Sequence, residues 1–167
     1  MNGSQLFGAV NVAFLSLINS RAFGSVTVPP ATTGSPTFTD DQGEYDFDYD
    51  FTRDGGVQGT LALTPRNGSK GALPAGFVIV AVFKEIITSL DSASHTAQGA
   101  LTSGESAGDI KAATIVSNAY WTTHGHGVAK AQMFTETTTP RTPSLVITVE
   151  DLTAGKFTLH FDGYTAP

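Results

Sequence analysis

The chain has no cysteine among its 167 residues, so no disulfide can hold it together. It does not need one, because a domain of this length buries roughly 70% of the surface that its unfolded form exposes. Charge is scarce too. Asp, Glu, Lys and Arg make up 14% of the sequence, against about 25% in ordinary soluble domains. Thr, Ser, Gly and Asn must cover the surface instead, and part of that surface is expected to be buried by other subunits. Positive charge is the scarcer sign, with 9 Lys and Arg against 15 Asp and Glu and a net charge of −6. That balance excludes the basic footprint of a nucleic-acid binder. Long apolar runs are missing as well: the best candidate, Leu6–Ile18, is interrupted by Asn11 and is too short to span a bilayer. No Lys or Arg precedes it and Arg21 follows it, so it makes a poor secretory signal. Neither nucleic acid nor membrane is expected as a partner.

What is present is a two-residue rhythm. In Glu44–Arg53, Tyr45, Phe47, Tyr49 and Phe51 alternate with acidic residues, the pattern of a half-buried strand. Asp54-Gly55-Gly56 is a turn signal, and Val57, Gly59, Leu61 and Leu63 continue as a second strand, which reads as a hairpin. Phe77–Ile87 is apolar at nearly every position and reads as a central strand covered on both faces, with Lys84-Glu85 marking emergence or a bulge. Further strands are expected at His95–Leu101, Val128–Phe134, Ser144–Val149 and Lys156–Phe161, with a short helical turn at Ser106–Thr114. Seven or eight short strands without a long helix predict an all-β fold, an antiparallel β-sandwich or jelly roll. Its expected core includes Tyr45, Phe47, Phe51, Leu61, Val78, Val80, Val82, Leu145, Ile147, Phe157 and Phe161.

Before residue 44 the character changes. Gln5–Ala22 fits helix and strand equally, and Ser25–Gln42 is rich in Pro, Thr and Gly. The expected organisation is an N-terminal arm and linker over residues 1–43, followed by a sandwich domain over 44–167. An apolar end on an extended tether suits an arm that reaches a neighbour.

Four patterns could carry chemistry. Gly104-Glu105-Ser106-Ala107-Gly108 matches the nucleophile-elbow spacing, but an elbow needs a parallel strand running into a long helix, and neither is expected here. His124-Gly125-His126 could offer two metal ligands on one strand face. Zinc would need more, with His95 and His160 the remaining histidines, so a polar loop beside Trp121 is expected instead. Asp46, Asp48 and Asp50 would stand too far apart along a strand to share one ion, at about 6.6 Å between neighbours. They are expected to form a solvated or partner-facing acidic face. The aromatics opposite them could be a sugar-stacking platform but are better placed as core. No catalytic, cofactor-binding or metal-binding residue is assigned, and no cofactor.

From Tyr45 onward the order of segments resembles that of small tailed-phage virion proteins. The segments are the aromatic/acidic strand with its D-G-G turn and G-T-L-A-L strand (Tyr45–Leu63), L-P-A-G before the long apolar strand (Leu73–Ile87), E-S-A-G-D-I-K-A-A-T (Glu105–Thr114), and P-S-L-V-I-T with L-T-A-G-K-F (Pro143–Phe157). This resemblance implies a capsid decoration, or cement, protein: a β-sandwich homo-oligomer, trimer or dimer, bound to the shell of the major capsid protein. It implies no enzymatic activity, and location in the virion after synthesis in the host cytoplasm. A carbohydrate-binding or adhesin-like module of a tail or fibre is the alternative, with Tyr120, Trp121 and Tyr164 as the aromatics that would have to be exposed.

Overall fold

Ten strands and two single helical turns make up the described part of the chain, residues 45–165 of a computed structural model. The arm and linker expected over residues 1–43 lie outside the described residues. In chain order the elements are β1 (Tyr45–Asp50), α1 (Phe51–Asp54), β2 (Gly59–Ala62), β3 (Thr64–Pro65), β4 (Phe77–Ser92), β5 (Gln98–Thr102), β6 (Lys111–Ile115), α2 (Ala119–Thr122), β7 (Gly125–Lys130), β8 (Thr135–Glu136), β9 (Ser144–Thr148) and β10 (Leu152–Thr165). The larger sheet runs β3-β1-β10-β4-β7, with β8 also paired to β4, and the smaller runs β2-β9-β5-β6. Every pairing is antiparallel. Side chains from both sheets meet in one apolar core, so the all-β sandwich expected from the sequence is the fold.

β1 keeps its alternation, with Tyr45, Phe47 and Tyr49 buried and the three aspartates half-buried on the other face. The strand ends at Asp50, three residues short of the expected end at Arg53. Asp50 accepts a hydrogen bond from the Thr52 backbone N–H and caps α1, which takes Phe51 out of the strand and leaves it partly buried against the core. The expected hairpin does not form either. Gly55 leaves α1 at φ 74°, and Gly56 passes so close to Leu152 that a Cβ would sit 2.6 Å from its carbonyl oxygen. The chain thereby crosses to the smaller sheet, where β2 pairs with β9. Asp151 marks a second such crossing, because β9 and β10 belong to different sheets.

β4 is central in its sheet, paired with β10 on one edge and with β7 and β8 on the other. It is not covered on both faces: Phe83 and Ile87 are exposed at 36% and 45%. A bulge lies between Ile79 and Ala81, where Val80 is an extra residue against Gly163 and Asp162 of β10. Before it the odd-numbered Phe77 and Ile79 point inward, and after it the even-numbered Val82, Lys84, Ile86 and Leu90 do. Val78 and Val80 therefore lie on the outer face rather than in the core. Leu61 is partly buried, and the remaining expected core residues, Tyr45, Phe47, Val82, Leu145, Ile147, Phe157 and Phe161, are buried.

The helical turn expected at Ser106–Thr114 is absent. Asp109 accepts hydrogen bonds from the Ser103 backbone N–H and hydroxyl, folding residues 103–110 into a tight loop that delivers Lys111–Ile115 to β5 as a strand. The turn that does form, α2, is capped by Asn118 and drives Trp121 fully into the core.

Candidate functional site

The outer face of the larger sheet carries the densest set of polar side chains singled out by the sequence. Register across β1 and β10 sets Asp46 opposite His160, Asp48 opposite Thr158 and Asp50 opposite Lys156. Each pair is bonded: Asp46 to His160 Nδ1 at 2.9 Å, Asp48 to Thr158 Oγ1 at 2.7 Å and Asp50 to Lys156 Nζ at 2.7 Å. The hydrogen bond from Lys156 holds the Asp50 carboxyl far below the usual carboxylate range. The acidic face is thus a ladder of matched cross-strand pairs and not a bare negative surface.

Two strands further along, the same face gathers a second group. Glu85 on β4 pairs in register with His126 on β7, their Oε1 and Nε2 atoms 3.5 Å apart. His160 on β10 lies diagonally across, two positions from Thr158, which is the register partner of Glu85. One ligand atom each from Glu85, His126 and His160 falls within 4.8 Å of the others. The two imidazole rings sit 6.1 Å apart. The Val80 bulge makes this possible, because unbroken alternation from Phe77 would turn Glu85 into the core and Lys84 out.

The three environments differ sharply. The His126 side chain is 74% exposed and Glu85 is half-buried. The His160 side chain is 22% exposed, and its Nε2 atom is buried without a hydrogen-bond partner. Since an ionised Asp46 can only accept, the 2.9 Å contact puts a proton on His160 Nδ1. In the neutral ring, that leaves the lone pair on the buried Nε2.

Other sequence candidates are placed elsewhere. Ser106 is exposed on the loop between β5 and β6, where its carbonyl accepts a hydrogen bond from Thr102 and its neighbour Glu105 pairs with Arg141 at 2.9 Å. All four histidines contact other groups: His95 meets Asp91, His124 meets Ser89 Oγ at 3.0 Å, and His126 and His160 lie in the cluster just described. His124 is thus separated from the cluster despite its spacing from His126. Trp121 is fully buried, its indole N–H donating to the Thr114 carbonyl, which removes it as an exposed stacking surface. Tyr120 packs edge-on against it and lies under the Lys84 ammonium, 3.8 Å from the ring centroid. Burial lowers the Lys84 ammonium and raises the Tyr120 phenol from their ordinary values.

Sequence reasoning did not single out Glu85 as a ligand or Lys84 as an inward residue. Both follow from a bulge inside an apolar run, where every position looks alike.

No family model matches the chain, and no curated protein matches it in sequence. In fold, it is similar to a chain of the cyanophage Pam1 capsid asymmetric unit, with a TM-score of 0.53 and 17% identity over 86% of this chain and 95% of that chain.

Proposed function

We propose that this chain is a structural protein of a phage virion, a capsid decoration protein that clamps neighbouring subunits of the head shell. The observation that carries the reading is the shared fold: the likeness covers 95% of a chain from a phage capsid unit and 86% of this one. Two features of the chain agree with it. Its charge content is low, and the outer face of the larger sheet exposes Phe83, Ile87 and Val128. Phe83 and Val128 are register partners, so they form adjoining apolar surface of the kind that a partner covers. A homotrimer or dimer, with residues 1–43 reaching a neighbour or the shell, completes the proposal.

The test is location and effect. In electron micrographs of purified virions, antibody against the protein should label the outside of the head at a fixed ratio to the major capsid protein. Shells lacking it should open at lower temperature and regain resistance when the purified protein is added back. Labelling confined to the tail, or shells indifferent to the protein, overturns the reading.

A further inference from the structure

We infer that Glu85, His126 and His160 form a binding site for a divalent transition-metal ion of the zinc type, with Asp46 holding His160 in the ligating tautomer. This goes beyond the proposed structural role, does not depend on it, and departs from the sequence expectation of no metal ligand.

Three observations support it independently. The first is the ligand set. Two imidazoles and one carboxylate suit Zn²⁺, Co²⁺ or Ni²⁺, whereas Ca²⁺ and Mg²⁺ take all-oxygen shells. The second is spacing. Bonds of about 2.0–2.1 Å to a tetrahedral ion put ligand atoms roughly 3.3 Å apart. His126 Nε2 and Glu85 Oε1 are already 3.5 Å apart, and no pair in the cluster exceeds 4.8 Å. His126 is the exposed member, so its ring can swing to close the remaining distance while the other two stay in place.

The third observation is the orientation of His160. Its Nδ1–H donates to the Asp46 carboxylate at 2.9 Å, and its Nε2 is buried without a partner. A buried acceptor with nothing to accept is costly and calls for an occupant. A carboxylate behind one imidazole nitrogen, with the other nitrogen free, is the arrangement that fixes metal-ligating histidines and raises their basicity. An alternative occupant is a water donating to Nε2, which satisfies that atom without creating any affinity for Zn²⁺.

Three protein ligands leave one tetrahedral position open. Water would complete the shell there in the isolated protein. The site joins three adjacent strands, β10, β4 and β7, so an ion there would fasten the middle of the larger sheet to its β7 edge.

The experiment is titration of the full chain, freed of metal by a chelator, with Zn²⁺ alone. Isothermal calorimetry should give one ion per chain, and the thermal midpoint should rise with Zn²⁺ concentration. His126→Ala and Glu85→Gln should each weaken binding about tenfold or more, and Asp46→Asn should weaken it by roughly tenfold through its hold on His160. His124→Ala should bind as the unaltered protein does. His126 is largely exposed, so its variant keeps the fold, which far-UV circular dichroism checks. Nitrogen-15 spectra should show the Nε2 signals of His126 and His160 shifting together on Zn²⁺ addition. Absence of Zn²⁺ binding overturns the site, as does binding undiminished in His126→Ala and Glu85→Gln. Loss of binding in His124→Ala equal to that in His126→Ala also overturns it, since that points to a simple surface histidine pair.

Discussion

Asp46 and His160 face one another across β1 and β10, and their 2.9 Å hydrogen bond fixes which imidazole nitrogen carries the proton. Free imidazole in water has no such partner and exchanges between tautomers. In the neutral ring the carboxylate selects Nδ1–H and leaves Nε2 as an acceptor. We expect nitrogen-15 spectra of the metal-free protein to show the Nδ1–H form of His160. Asp46→Ala should return the ring to a mixture containing the Nε2–H form. An unchanged tautomer in that variant would mean that something other than Asp46 orients the ring.

The register of β4 makes a sharper prediction: the Val80 bulge turns Ile86 inward, and a second shift between Ile86 and Thr88 leaves Ile87 as an extra residue on the outside. Ile86 is 2% exposed and Ile87 is 45% exposed. Truncating a buried isoleucine removes transfer free energy and leaves a cavity, so Ile86→Ala should cost about 2–5 kcal/mol. Ile87→Ala should stay within about 0.5 kcal/mol of the parent, as exposed substitutions generally do. Urea unfolding midpoints of the two variants decide the matter. Equal costs, or a reversed order, would place the register shift elsewhere.

That bulge also explains what the sequence could and could not reveal. β1 was legible because its acidic residues mark every outward position, so Tyr45, Phe47 and Tyr49 declare themselves. Lys156–Phe161 was legible for the same reason, with Thr158 and His160 between the aromatics and Leu159. Between Phe77 and Ala81 there is no polar marker, and Val, Ile and Phe suit either face. The parity could not be read, and Val78 and Val80 were expected inward. The loop at Ser106–Thr114 looked helical because Asp109 resembles a cap, whereas it binds back to Ser103. The metal-type cluster was half visible: His126 and His160 were noted, but residues 85, 126 and 160 converge only through the strand order β10-β4-β7. Such long-range pairing leaves no local mark in a single sequence.

Glu150 gives a pH-dependent prediction. Its carboxylate accepts hydrogen bonds from the hydroxyls of Ser92, Ser94 and Thr96 and from the Ser94 backbone N–H. The Ser92 and Ser94 hydroxyls do most to lower its pKa, from 4.5 to about 2. A carboxyl depressed in the folded state binds fewer protons there than in the unfolded state. Its contribution is therefore complete above pH 4.5 and is lost as pH falls toward 2. The site is exposed to solvent, so the effect should be modest and reduced by salt. Glu150→Gln should flatten the decline of the unfolding midpoint across that window while changing little at neutral pH. A decline equally steep in the variant would assign acid sensitivity to other carboxylates.

Gly163 offers the most direct test of the packing around the bulge. It sits on β10 opposite Ile79, at the point where Val80 is accommodated as the extra residue of β4. A Cβ built there would meet the Val78 carbonyl oxygen at 2.3 Å and the Phe77 ring at 2.5 Å. The carbonyl belongs to the backbone of a central strand, and Phe77 is fully buried, so neither can yield cheaply. Gly163→Ala should therefore destabilise the fold by about 1–3 kcal/mol, in the range of overpacked cores. The strain is steric and not a matter of a left-handed backbone, since Gly163 is not among the glycines with positive φ. Gly71→Ala is the control, because nothing lies within 4 Å of its built Cβ and it too lacks a positive φ. That variant should unfold at or slightly above the parental urea concentration, since alanine restricts the unfolded chain. If Gly163→Ala were as stable as Gly71→Ala, the close approach of β10 to β4 at the bulge would be wrong. The outward placement of Glu85 beside His126 and His160 would then lose its structural basis.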